Sequence, residues 1–182
     1  MPERGGTRVW SRALFLFGAS LCAATARAAP LVEVLASPGG VDPARAAVPA
    51  AEDAVAGLLL NSGATPLVVN FFATWCGSCV AEIDVVQAVI AQHPSVRGVF
   101  LSLDSLSEGP RLARFILEHR LVLPVVHLQS ADPSGAAIRL VRAWPQRIPV
   151  TLVIAPGGAE VARFVGRIDG PELAAALGPA PG

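Results

Sequence analysis

Cys76 and Cys79, in the stretch NFFATWCGSCVAEI, stand three positions apart, and their type and spacing suit covalent or metal chemistry. Four chemistries use such a pair. A structural disulfide stabilises mainly by restricting the unfolded chain, and more so for long loops, so a bridge between residues three apart achieves little as a staple. A zinc site needs about four ligands. The chain has no second C-x-x-C, and His93, His119 and His127 lack ligand spacing and are expected at the surface or at helix ends. Haem attachment needs a histidine directly after the second cysteine, where this chain has Val80. What remains is a redox-active dithiol.

Such a pair must be held by defined elements. The run PLVVNFFA just before it is continuously apolar and rich in β-branched and aromatic residues, which predicts a strand buried on both faces. After it, CVAEIDVVQAVIAQHP carries Ile83, Val86 and Ile90 at spacings of three and four and ends in a proline, which predicts one helix. Cys76 then lies where a buried strand meets a helix N-terminus, whose free N–H groups favour a thiolate. Cys79 falls one turn further in and is the natural resolving thiol. Glu82, three residues on, is expected on the same side of that helix. It suits either proton handling or simple complementarity to the helix dipole.

The start of the chain bears on the redox setting. Arg4, Arg8 and Arg12 precede the apolar run ALFLFGASLCAA, and the small-residue stretch ATARAAP follows it. This is the layout of a secretory signal with cleavage after Ala28, and its roughly 14 apolar residues fall short of the about 20 that span a bilayer. The protein is expected to be exported and soluble in the periplasm after cleavage, with a membrane-anchored form as the lesser alternative. Cys22 would leave with the signal, so Cys76 and Cys79 would be the cysteines left to pair in an oxidising compartment. Beyond the signal, Ala36 to Ala50 is rich in Pro, Gly and Ala without period and is expected to be an exposed linker. The segment AAEDAVAGLLLNSG predicts a helix ahead of the central strand.

Composition narrows the rest. The 182 residues suit one domain, divided as a signal 1–28, an N-terminal strand, linker and helix 29–65, and a core 66–182. Formal charge is zero and no basic stripe is present, which argues against nucleic acid as a partner. Met1 is the one methionine, which disfavours soft-metal handling.

The segment NFFATWCGSC resembles the active-site segment of thioredoxin-fold oxidoreductases, specifically the exported TlpA and ResA-like branch. The resemblance continues through VRGVFLSLD, EGPRLARFILEHRLVLPVV and RIPVTLVIAPGGAEVARFVGRIDGPELAAAL, about Pro66 to Leu177. It implies an α/β thioredoxin-like three-layer fold, a central mixed sheet with helices on both faces. It also implies a cis peptide at Pro149, backbone docking of substrate at Ile148, a flat contact surface at Trp75, and proton assistance to the thiols by Glu82. Asn70 stands where thioredoxin has a buried acid, and an amide cannot carry that proton. Trp144 and Pro145, in an approach to Pro149 that looks longer than usual for the family, are expected to pack under the active-site loop. The function implied is disulfide reduction on cytochrome c or copper-site proteins by a monomer that needs no cofactor and is recharged by a membrane thiol reductase. Two other classes are compatible with the residues: a metal-handling protein, or a redox-silent binding module on the same fold.

Overall fold

The run LVVNFF folds as strand β2, Leu67–Phe72, with every residue buried. Its period of two divides the core: Leu67, Val69 and Phe71 join one apolar cluster, and Val68 and Phe72 the other. The computed structural model describes residues 47–179. The expected export signal, Cys22 and positions 36–46 of the expected linker lie outside the described residues.

Around β2 the chain forms β1 (Val48–Ala50), α1 (Glu52–Leu60), α2 (Gly77–Val80), α3 (Ile83–Ala91), β3 (Arg97–Ser102), a 3-10 turn (Leu106–Glu108) and α4 (Gly109–Glu118). It continues with β4 (Val125–Leu128), α5 (Pro133–Leu140), β5 (Val150–Ile154), β6 (Glu160–Val165) and α6 (Gly170–Leu177). The six strands form one sheet in the order β1-β4-β3-β2-β5-β6. The first four run parallel, and β5 and β6 are antiparallel, β2 pairing Asn70 with Thr151. The hairpin between β5 and β6 turns through Gly157 and Gly158, both at positive φ, where a side chain would be strained.

Helices α1 and α5 cover one face through Val55, Leu58, Ala136 and Ala137. Helices α2, α3, α4 and α6 cover the other through Cys79, Ile83, Val86, Leu112, Phe115 and Leu173. The expected three-layer mixed sheet is present. Phe71, Phe72 and Phe100 are fully buried, each side chain contributing about 1.5–3 kcal/mol of transfer free energy.

Three expectations are corrected. Residues 48–50, expected to be linker, form edge strand β1, paired in parallel with β4 at Val48–Val126 and Ala50–Leu128. Pro49 is tolerated there because an edge strand can spare a donor. The segment after the cysteines is two helices. Ala81 closes α2, and Glu82, at φ −107° and ψ −9°, precedes α3. His127 lies in β4 and is buried, with Nε2 3.1 Å from the carbonyl of Asp104. His93 and His119 do stand at helix ends: His93 Nδ1 is 2.8 Å from Val89 O, and His119 stacks on Phe115. Helix α5 is an element that the sequence reading does not include. Its signal is present in DPSG: Asp132 caps the helix by accepting from Gly135 N, and Pro133 occupies the first turn.

Candidate active site

The strand-to-helix junction holds the two cysteines. Cys76 and Cys79 form a disulfide, with Cα atoms 5.3 Å apart. Cys76 is the N-cap of α2, and Cys79 N donates to its Sγ at 3.3 Å. A thiolate at Cys76 would receive that same N–H, and the Ser78 hydroxyl, 3.4 Å from Sγ, can donate as well. Because α2 is four residues long and then interrupted, this local donor, not the macrodipole of a long helix, is the main backbone contribution. Cys76 is 8% exposed and Cys79 is 0% exposed, so an attacking reagent meets Cys76 first.

The loop from β2 to Cys76 is anchored by Asp104, a residue sequence reasoning did not single out. Both carboxylate oxygens lie 3.1 Å from Thr74 N, and Oδ1 also accepts from the Thr74 hydroxyl at 2.7 Å. Ser102 Oγ donates to Oδ2 at 2.7 Å and accepts from Asp104 N at 3.1 Å. Asp104 and Ser102 are fully buried and Thr74 nearly so. Removing the carboxylate would leave several buried donors unpaired. The available signal was a polar pair, Ser102 and Asp104 on either side of Leu103, at the C-terminal end of a parallel strand, where open α/β sheets place their sites.

Glu82 is fully buried, and its carboxylate turns towards the sheet instead of capping α3. Oε1 accepts from Asn70 Nδ2 at 2.6 Å, and Oε2 from Ile168 N at 2.8 Å. Asn70 Nδ2 also donates to Thr151 Oγ1 at 2.9 Å, and Asn70 Oδ1 has no hydrogen-bond partner among the described residues. Burial pushes the Glu82 pKa above the ordinary carboxylate value, outweighing the donors from Ile168 and Asn70 and the charge of Arg167. No hydrogen bond joins the Glu82 side chain to either cysteine among the described residues. The link is through the backbone, Glu82 N donating to Cys79 O at 3.2 Å. Asn70 and Glu82, treated separately in the sequence, therefore belong to one buried polar group.

Ile148 precedes Pro149 through a cis peptide, as expected, and its carbonyl oxygen lies 4.0 Å from Cys76 Sγ. Trp75 is 61% exposed beside Cys76 in the chain. Trp144, expected to pack under the active-site loop, packs edge-on against Phe71 with ring centroids 5.0 Å apart, in the cluster on the sheet face opposite Cys76 and Cys79. Its loop is held from β6, where Arg163 pairs with Glu160 and donates to Ala143 O at 2.9 Å. Among the described residues no cluster of His, Cys, Asp and Glu could hold a metal ion.

The architecture matches solved proteins. A DsbF homologue from Corynebacterium diphtheriae superposes with a TM-score of 0.53 at 18% identity, over 63% of this chain and 71% of that one. The fold is thioredoxin-like. A secreted thiol-disulfide isomerase from Corynebacterium glutamicum matches at 0.51 and 20% identity, over 63% and 70% of the two chains. A secreted Mycobacterium tuberculosis disulfide oxidoreductase matches at 0.50 and 18%, over 66% and 84%. In sequence, the chain is 35% identical over 94 residues to the thiol-disulfide oxidoreductase ResA of Oceanobacillus iheyensis, over 50% of this chain and 45% of that protein. The chain thus spans less than half the length of the curated relative it matches. No family model matches the chain.

Proposed function

We propose that the protein is an exported thiol–disulfide oxidoreductase. The carrying observation is the Cys76–Cys79 pair at the end of a buried strand, with the more accessible sulfur 3.3 Å from a backbone N–H and beside the Ile148 carbonyl. In the reduced form the Cys76 thiolate attacks a disulfide sulfur, the partner sulfur leaves as a thiolate, and Cys79 then attacks Cys76 in the mixed disulfide. The protein ends oxidised and the substrate gains two electrons. Trp75, Ile148 and Pro149 form the docking surface, where main-chain contacts at Ile148 permit varied substrates. Glu82 supplies or withdraws a proton as the thiols ionise, through solvent that reaches the site.

The finer reading is a TlpA/ResA-like reductase that acts in the periplasm on cysteines of cytochrome c or copper-site proteins and is recharged by a membrane thiol reductase. The 35% identity to ResA over 94 residues supports it. Insulin reduction with dithiothreitol, compared with a Cys76→Ala variant, tests the exchange activity: equal rates would leave a redox-silent binding module. The redox potential in a glutathione series tests direction. A strongly reducing value supports a reductase, and a value near the compartment's poise would replace it by an oxidase or isomerase.

A further inference from the structure

Two arginines stand at the rim of the docking surface, Arg147 and Arg167. Strands β5 and β6 pair Val150 with Val165, and the pairing continues one step, Gly166 N donating to Pro149 O at 2.9 Å. Arg167 follows Gly166 directly, and Ile148, whose carbonyl is the backbone group 4.0 Å from Cys76 Sγ, precedes Pro149, so each lies one residue beyond that bonded pair. Arg147 precedes Ile148 directly. Both arginines are exposed, and neither makes an ion pair among the described residues. Arg139 and Arg163, by contrast, are each held by a glutamate through two nitrogens. Arg167 is close enough to the buried centre for its charge to act on Glu82. Arg167 also lines an open cleft of about 260 Å³ with Val85, Ile168, Asp169 and Glu172. Asp169 is engaged there as the cap of α6, accepting from Glu172 N at 2.9 Å.

Resting on the exchange reading above, we propose that Arg147 and Arg167 select disulfide substrates whose cysteine is flanked by aspartate or glutamate. An extended peptide rises about 3.3 Å per residue. With its sulfur at Cys76 and its backbone along Ile148, the residues one or two positions from its cysteine come within reach of both guanidinium groups. Carboxylates there gain two partners, while lysines or arginines meet like charge. The bond changes are those already given: one substrate S–S bond breaks, the Cys76–Cys79 bond forms, and two electrons pass from the protein dithiol to two substrate thiols. The charges act on encounter and docking, and leave the chemistry of the sulfurs alone.

The test uses two synthetic seven-residue peptides with one central cysteine, flanked on both sides by aspartate in one and by lysine in the other. Each is presented as its symmetric disulfide to the reduced full-length protein. The rate of free peptide thiol release is divided by the rate of the same peptide with dithiothreitol, which removes the intrinsic effect of the flanks. An exposed ion pair contributes a factor of roughly 1.5 to 5, so two attractive contacts against two repulsive ones predict an aspartate-to-lysine ratio of about tenfold at low salt. The ratio should fall to within about twofold of unity in the Arg147→Gln/Arg167→Gln variant, and in the unaltered protein in high salt, where charges are screened within about 3 to 4 Å. A ratio near unity in the unaltered protein, or one that survives the double substitution, overturns the selection while leaving exchange intact. Reduction of neither peptide nor insulin overturns the exchange reading, and the selection with it.

Discussion

Replacing Glu82 by Gln isolates the effect of a buried carboxyl at nearly constant shape. Glu82 is fully buried, and burial raises its pKa above 4.5. The folded state therefore binds this proton more tightly than the unfolded state does. Stability is greatest below about 4.5, where the carboxyl is protonated in both states. It falls as pH rises from there to the raised folded pKa and stays level beyond it. Within that window the loss is about 1.4 kcal/mol per pH unit. Gln has no proton to lose, but it has one oxygen where Glu82 uses two, one for Asn70 and one for Ile168 N. The oxygen can keep Ile168 if the Asn70 amide turns over. That turn presents its Oδ1, otherwise without a partner, to the new NH₂ group, and lets the Thr151 hydroxyl donate instead of accept. The amide nitrogen then takes the orphan position, so the exchange costs about 1 kcal/mol at acid pH. The assay is guanidinium chloride unfolding of both proteins in their disulfide forms, which keeps the thiols out of the titration, from about pH 4 to pH 8. The expected result is a Glu82→Gln variant slightly less stable at the acid end that gains on the parent across the window and then keeps its advantage. Parallel stability curves would show that no charge is buried at Glu82 and refute the reasoning.

In the reduced protein, iodoacetamide should label Cys76 before Cys79, because Cys76 keeps 8% exposure while Cys79 has none; peptide mapping after a short exposure checks this, and preferential labelling of Cys79 would reverse the assignment of nucleophile. The Glu82→Gln variant should also shift the pH dependence of exchange to lower pH, since removing a negative charge near the thiols favours their ionisation, and the apparent values belong to the coupled group; superimposable pH–rate profiles would leave Glu82 a structural residue. Asp104→Ala should cost about 3 kcal/mol or more in denaturant unfolding, because Thr74 N, Thr74 Oγ1 and Ser102 Oγ lose a buried acceptor, and the rate of insulin reduction should fall with it; a loss under about 1 kcal/mol would mean that the loop is held by other contacts. Trp144→Ala should cost about 2–4 kcal/mol through lost burial and its edge-on contact with Phe71, and an unchanged unfolding midpoint would remove its packing role.

Much of this protein is local in origin and could be read from the chain. Leu67–Phe72 is apolar on both faces, so it had to become a central strand. The cysteines follow it directly, so they had to sit at its end. The PGG turn could only be a tight connection between the last two strands. The same locality explains the misses. Val48–Ala50 becomes a strand because β4 offers an unpaired edge 78 residues further on, and three residues carry no pattern of their own. The long helix expected after Cys79 breaks at Glu82 because the carboxylate finds partners on β2 and just before α6, at Asn70 and Ile168, which helix periodicity cannot register. Asp104 gains its role only when parallel pairing of β2 and β3 brings Thr74 to it across 30 residues. The sequence by itself determined the reactive pair, the strand that carries it and the periodic faces that bury it, since these depend on residue type and spacing alone. Tertiary structure decided which buried polar groups meet around the pair, because hydrogen bonds between distant side chains exist only once the sheet has aligned them.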